Sequence, residues 1–302
     1  FKCYQQFLSH TQSEVTLLHR LSEKHLNSIF ILFSFITLST FIVGCGSDEA
    51  TKQLSAEERY ELGMKAFKDE DYLAAIEEFK VVSLQYQGSK VADSAQFYMA
   101  ECRYLREEYI LAAFEYDILL RTMPSSVFVS RARFRRATCY YNLAPKFILD
   151  QNYSRKAIDE YQAFLEYHPT DTLVSLAEQR INELNTRLAQ KDFENGMTYM
   201  HMEYYKAATY YFDVVLDKYH DTQYAEPALL KKAEALTNRK KYADAKEVLE
   251  KFLEKYPSSV LKSDADRLNS DIESGLRDEK TKKQKTPEPI KDTSKQVPQL
   301  DR

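Results

Sequence analysis

The side chains best able to do covalent or metal chemistry in this chain are its four cysteines and six histidines. Most of them are spaced so that they cannot do it. His168, His201 and His220 are scattered, and nothing in the pattern brings a catalytic cluster within hydrogen-bond reach. No GxxxxGK phosphate loop, HExxH or CxxC occurs. Cys102 and Cys139 stand in matching settings, Ala100-Glu101-Cys102 and Ala137-Thr138-Cys139. Equivalent helices of consecutive repeats lie roughly 10 Å or more apart, whereas a disulfide needs Cα atoms within about 7 Å. Both thiols therefore read as small buried hydrophobes. The expectation is a protein that is not an enzyme and uses no cofactor and no metal. The thiol with a different prospect is Cys45.

Residues 29–44, IFILFSFITLSTFIVG, form an uncharged run preceded by Lys24 and His25. The run is short for a transmembrane helix, which needs about 20 apolar residues, and it fits a signal peptide. At its end, Ile42-Val43-Gly44-Cys45 resembles the bacterial lipobox. That resemblance implies acylation of Cys45, which becomes the mature N-terminus and holds the protein to the lipid bilayer. Each buried CH₂ of the acyl chains contributes about 0.8 kcal/mol. Gly46, where an Asp would signal inner-membrane retention, favours the outer membrane, and Ser47-Asp48-Glu49 read as an acidic linker rather than a surface-export tag. The chain opens on Phe1 with no Met before Met64, so the long n-region of residues 1–28 reads as a mis-called or truncated start. The expected layout is a signal peptide at 1–44 and a lipidated linker at 45–54.

The elements that follow are organised by a repeat. Composition frames it: 44% hydrophobic, 29% charged and net charge −4 describe a globular chain with no draw toward nucleic acid. Only six Gly and eight Pro, against 22 Tyr and 17 Phe, suggest long helices packed by large side chains. Alanines 75, 112, 157, 208 and 245 are each followed four residues later by Phe79, Tyr116, Tyr161, Phe212 or Leu249. Twelve residues after the Ala come Pro124, Pro169 and Pro257, with Gln87 and His220 in the other two units. A small residue, Gly63, Ala100, Gly196 or Ala233, stands twelve before the Ala, with Ala137 displaced by an insertion in the third unit. This resembles the tetratricopeptide repeat (TPR), a pair of antiparallel helices A and B in which small residues permit close approach and Pro stops helix B. The fold expected is all-α, a TPR-like helical solenoid of about five repeats over 55–276.

Two spacings exceed the 34 residues of a strict TPR by a wide margin. The interval from Ala112 to Ala157 carries an insertion near Ala144–Asn152, and that from Ala157 to Ala208 predicts an extended helix over 172–194 that would splay the solenoid into two lobes. Residues 277–302, with a basic cluster at Lys280–Lys285 and three prolines, read as a disordered basic tail.

In the TPR family, helix A lines the concave face through positions three before, one after and four after the small residue. Here these are Tyr60, Met64 and Phe67, then Phe97, Glu101 and Tyr104, then Phe134, Thr138 and Tyr141. The fourth repeat supplies Phe193, Met197 and Met200, and the fifth the more polar Leu230, Glu234 and Thr237. The aromatic and Met positions form a candidate binding groove for an extended peptide or a partner's helix. The alternative is that these rings pack only on the neighbouring helix. No Lys or Arg occupies these positions, so a carboxylate-clamp TPR is disfavoured.

A lipobox followed by five irregular TPRs resembles the BamD family of outer-membrane protein assembly factors. Glu57–Phe79, Pro145 with Asp150-Gln151, Arg187–Lys191, Tyr204–Ala208 and Asp221-Thr222 carry the likeness, which spans roughly 54–260. It implies an outer-membrane lipoprotein facing the periplasm. Its implied partners are the POTRA domains of BamA, bound through later repeats, and unfolded outer-membrane protein precursors, received by Tyr60, Phe67, Phe97 and Tyr104. The competing expectation is another TPR lipoprotein, one that coordinates cell division or peptidoglycan, or a secretin pilotin.

Overall fold

The computed structural model describes residues 53–285. The chain divides into two units, Phe1–Leu54 and Ser55–Arg302, and the described helices belong to the second. Cys45, the expected signal peptide and most of the expected linker lie outside the described residues.

Among the described residues there are eleven helices and no strands. They are α1 (Ala56–Lys68), α2 (Tyr72–Gln85), α3 (Ala92–Leu105), α4 (Tyr109–Thr122), α5 (Val129–Leu143) and α6 (Asn152–Tyr167). There follow α7 (Val174–His201), α8 (Tyr205–Lys218), α9 (Ala225–Asn238), α10 (Tyr242–Lys255) and α11 (Lys262–Lys285). Each helix packs on the one before and the one after it, which makes a TPR-like solenoid of five helical pairs closed by α11. Its start is capped locally: Ser55 accepts from the Glu58 N–H at 3.1 Å, and Glu58 accepts from the Ser55 N–H at 2.8 Å. This reciprocal pair satisfies two of the orphan donors of the first turn.

The five key alanines are fully buried, as are Phe79, Tyr116, Tyr161 and Phe212. The small residue of helix A exists to receive the large one of helix B. A Cβ built on Gly63 would sit 2.6 Å from the Phe79 ring, and one on Gly196 2.6 Å from Phe212. Helix A turns into helix B through the same device in four repeats. Glu70, Glu107, Glu203 and Lys240 take φ near +60°, and the next N–H reaches back 2.9 Å to a carbonyl five residues earlier (Asp71 to Ala66, Glu108 to Arg103, Tyr204 to Tyr199, Lys241 to Leu236). These are Schellman closures without glycine.

The expected role of Pro at the end of helix B is only part of the stop. All five B helices end at one register, including those followed by Gln87 and His220. What recurs is a turn in which Ser89, Ser126, Asp171, Thr222 and Ser259 each donate their N–H to the C-cap carbonyl three residues back, at 2.9–3.1 Å. Ser126, Asp171 and Ser259 also accept, through their side chains, the N–H two residues on, which starts the next helix A. Those three units are the ones that carry the Pro; where Gln87 and His220 stand instead, the backbone N–H of Ser89 or Thr222 makes the same turn, and the Thr222 hydroxyl also donates to the Tyr219 carbonyl at 2.8 Å.

The long interval after Ala157 holds one helix, α7, of 28 residues, which continues past the expected 194 to His201. Its first half packs Ala177 and Leu184 against α5 and α6; its second half packs Ala189 and Phe193 against α8. It is both the cover of repeat three and helix A of repeat four. The insertion between α5 and α6 is pinned to it: Arg187 donates to the carbonyls of Ala144 and Pro145 at 3.0 and 3.2 Å. Lys191 donates to those of Phe147, Ile148 and Leu149 at 2.9–3.3 Å. At the far end, α11 covers the last repeat with Ala265 and Ile272 in the terminal core. The expected disordered tail starts too early: α11 continues to Lys285, because Leu268, Ile272, Gly275 and Leu276 keep one face on α10 and carry the next turns with them. Residues 286–302 lie outside the described residues.

Candidate binding groove

The helix-A positions do not share one fate. Tyr60, Met64, Phe67, Tyr104, Tyr141, Phe193 and Met197 are half-buried, with part of each side chain facing solvent. Phe97 and Phe134 are buried, at 0% and 7% exposure, so these two are corrected from groove to core. In repeats two and three the position three before the small residue meets large rings of the neighbouring helices. Phe97 stacks on Phe128 at 4.5 Å and lies 5.9 Å from Tyr116. Phe134 meets Tyr161 and Phe164 at 5.5 and 5.4 Å. Truncating either ring would open a cavity in the core.

In repeats one and four the same position, Tyr60 and Phe193, stays half-buried. Tyr60 and Phe67 instead lean on Tyr98 of α3, at 6.5 and 5.3 Å. Tyr98 also contacts Phe79, Phe97 and Phe128, at 6.1, 5.6 and 6.2 Å. The three-position sequence rule omits Tyr98, although its ring touches rings on α1, on α2 and at the start of α5; its place two residues before Ala100 is the available signal.

The centre of the groove is polar as well as aromatic. Glu101 is buried at 5% exposure and accepts from the Tyr116 hydroxyl at 2.5 Å. Arg135 of α5 reaches the same carboxylate through Nε at 2.9 Å and Nη2 at 3.1 Å. Its guanidinium lies over the Tyr104 ring at 4.7 Å, and the Tyr104 hydroxyl accepts from Asn142 at 3.1 Å. Burial, and then the Glu101 charge, push the Tyr116 phenol well above its ordinary range, so it stays a neutral donor. One repeat on, Arg180 lies 4.1 Å over the Tyr141 ring, whose hydroxyl donates to Glu183. That hydrogen bond is the main reason the Glu183 carboxyl is held below its ordinary value.

Sequence reasoning missed both arginines, because neither occupies one of the three groove positions. Arg135 follows Phe134 directly and Arg180 lies on the long helix after the third repeat. The three groove positions themselves carry no Lys or Arg, as expected, and the cations stand beside them. The surface from Tyr60 to Tyr141 offers ring faces and guanidinium planes side by side. Such a surface can hold aromatic or aliphatic side chains, together with carbonyl or carboxylate oxygens. Cys102 and Cys139 are buried and free. Desolvation first, then Glu101, raises both thiols to about 12, which leaves them protonated and unreactive at neutral pH.

A family model described as YfiO, outer membrane lipoprotein, matches residues 52–248, from just before α1 into α10. Two curated relatives are named outer membrane protein assembly factor BamD. The protein of Rickettsia prowazekii (strain Madrid E) is 23% identical over 240 residues, covering 79% of this chain and 96% of that protein. The protein of Caulobacter vibrioides is 21% identical over 210 residues, covering 68% of this chain and 69% of that protein. Among solved structures, the TPR2AB domain of yeast Sti1 in its complex with pHSP90 is 18% identical, covers 72% of this chain and 98% of that chain, and has a TM-score of 0.35.

Proposed function

Because the chain belongs to the YfiO family of outer membrane lipoproteins, we propose that it is a scaffold of outer-membrane protein assembly, anchored by acylated Cys45 on the periplasmic face. In this reading it receives unfolded barrel precursors on its N-terminal repeats and docks the POTRA domains of a BamA-type barrel through repeats four and five. It acts by holding its partners, without catalysing a reaction. The observation that carries the reading is the family match from just before α1 into α10, and the names of the two BamD relatives support the assembly role.

The groove supplies the chemistry for a precursor strand that ends in an aromatic residue. Tyr60, Met64, Phe67 and Tyr104 offer accessible apolar surface for alternate side chains. Arg180, stacked on Tyr141 beside the Glu183 carboxylate, adds a guanidinium plane that a terminal carboxylate could share. Phe193 and Met197 hold the equivalent half-buried positions in repeat four.

Affinity purification from membranes with mass spectrometry tests the assignment. A BamA-type barrel in the eluate is expected; a secretin or a division protein in its place would establish the competing TPR-lipoprotein class. In parallel, Tyr104→Ala should weaken binding of a precursor C-terminal peptide about tenfold, the loss expected of an aromatic hot spot, while barrel capture persists. Unchanged peptide affinity would remove the groove from the proposal. Phe97 is unsuitable for this test, because its loss would damage the core.

A further inference from the structure

The insertion between α5 and α6 is tied down more completely than an exposed loop requires. Every carbonyl from Ala144 to Leu149 has a donor. Arg187 serves Ala144 and Pro145 at 3.0 and 3.2 Å. The ammonium group of Lys191, which carries three donors, serves Phe147, Ile148 and Leu149 at 2.9–3.3 Å. Gln151, fully buried, donates to Lys146 and Leu149 at 2.9 and 3.0 Å, and the Leu149 N–H adds a second bond to the Lys146 carbonyl at 3.0 Å. The Gln151 side-chain oxygen in turn accepts from the buried Ser154 hydroxyl at 2.7 Å.

Water alone would satisfy these carbonyls if the loop stayed wet. Carbonyls that already hold a donor lose little when water leaves, whereas an unpaired one taken into an apolar medium is costly. The side chains left outside are apolar: Ile148 is 71% and Leu149 58% exposed, with Tyr153 exposed at the start of α6. Residues 144–156 also carry Lys146, Arg155 and Lys156, all exposed, against one acid, Asp150, whose carboxylate accepts the Asn152 N–H at 3.0 Å. The stretch is cationic in a chain whose net charge is −4.

We propose that this loop is a membrane contact, in which Ile148 and Leu149 enter the boundary of an anionic phospholipid surface and Lys146, Arg155 and Lys156 meet its headgroups. An apolar tip with a cationic rim is the composition that binds such an interface. A protein partner would also bury Ile148 and Leu149, but it can bring its own donors to a loop's carbonyls. Lipid chains bring none, and the bonds from Arg187, Lys191 and Gln151 meet that need in advance. The contact rests on the outer-membrane location of the family and not on which partners the repeats hold, so it and the affinity purification above fail independently.

The chain contains no Trp, so Ile148→Trp places a single fluorescent reporter on the loop. Val260→Trp, at a site 94% exposed between α10 and α11, is the control. The full chain carrying either change is reconstituted with vesicles of phosphatidylethanolamine and phosphatidylglycerol whose acyl chains carry bromine as a quencher. Emission of the Ile148→Trp chain should shift to the blue and be quenched, and that of the Val260→Trp chain should do neither. Adding Lys146→Gln to the Ile148→Trp chain should lower the ratio of quenched to unquenched emission about fivefold, the effect of one cation at an anionic surface. Replacing phosphatidylglycerol with phosphatidylcholine should lower it further. No quenching at the loop, equal quenching at the two sites, or quenching indifferent to phosphatidylglycerol would overturn the proposal. A blue shift that appears without lipid and grows with protein concentration would assign the loop to a second copy and overturn it as well.

Discussion

Cys102 and Cys139 hold the same register in helix A of consecutive repeats, and each is fully buried without a partner thiol. Their thiols are raised from an ordinary 9.0 to about 12, by burial first and by the Glu101 charge second. Burial likewise raises the Tyr161 phenol from 10.0 to about 12. A group whose folded pKa is raised contributes stability that is complete below its unfolded pKa and lost as pH climbs through the folded one. The protein should therefore lose stability from pH 9 upward, with the thiols responding first and the phenols joining above pH 10. A tenfold difference in proton affinity between the folded and unfolded chain is worth about 1.4 kcal/mol, so the loss should be plain in urea midpoints measured across that range. The Cys102→Ala, Cys139→Ala double variant should hold its midpoint flat to about pH 10; a wild-type slope retained below that pH would refute the assignment. The same residues show what single-residue patterning can and cannot reveal. The inertness of the two cysteines is legible from their setting. The division of helix-A aromatics into half-buried Tyr60 and buried Phe97 is not, because it depends on whether a ring such as Phe128, from the following helices, closes over the position.

Helix pairs, the next scale up, are held by one contact type. Gly63 admits the buried ring of Phe79 so closely that a methyl group would overlap it at 2.6 Å. Gly63→Ala should favour the isolated helix by about 1 kcal/mol. Overpacking against a ring with nowhere to move costs typically about 1–3 kcal/mol, so the net effect should be a lower thermal midpoint. Gly88, in the following loop, would meet nothing within 4 Å. Gly88→Ala should stay within about 0.5 kcal/mol of wild type, and equal losses from both changes in thermal melts would refute the packing account. This Gly–Phe pairing, repeated at Gly196 and Phe212, is why the fold class and the number of repeats are legible in the sequence: small and large residues recur at fixed distance. Elements outside the period are harder to read. Charge rises after Leu276 and suggests an end there, yet a helix held by Ile272 and Leu276 propagates beyond its last apolar contact. Gln87 and His220 stand where a Pro would end α2 and α8, and Ser89 and Thr222 supply the turn instead.

Across the whole molecule, the distinctive feature is that two stacks of repeats share one helix. In a solenoid each unit contacts only its neighbours, so cooperativity is transmitted through interfaces in series. Here the link between repeats one to three and repeats four and five is α7, which contributes Leu184 to the core with α6 and Ala189 to the core with α8. Thr186 lies between these two residues, with its hydroxyl donating to the Asn182 carbonyl at 2.8 Å. Proline at this position would remove the backbone donor and clash with the preceding turn, at a cost of about 3 kcal/mol or more. Because Leu184 and Ala189 would still find their own partners on either side, the damage should fall on the connection more than on either stack. Wild-type amides in α5 and α9 should then lose protection at a common urea concentration in hydrogen exchange, whereas Thr186→Pro should separate them into two transitions. A variant that keeps a single, merely lowered transition would show that coupling runs through contacts outside α7, for which Tyr219, packed on the Ile158–Leu184 cluster, is the nearest alternative route. A scaffold that must hold one partner on its early repeats and another on its late ones depends on that stiffness. Thr186→Pro should therefore also loosen joint capture of precursor and barrel while leaving each captured alone.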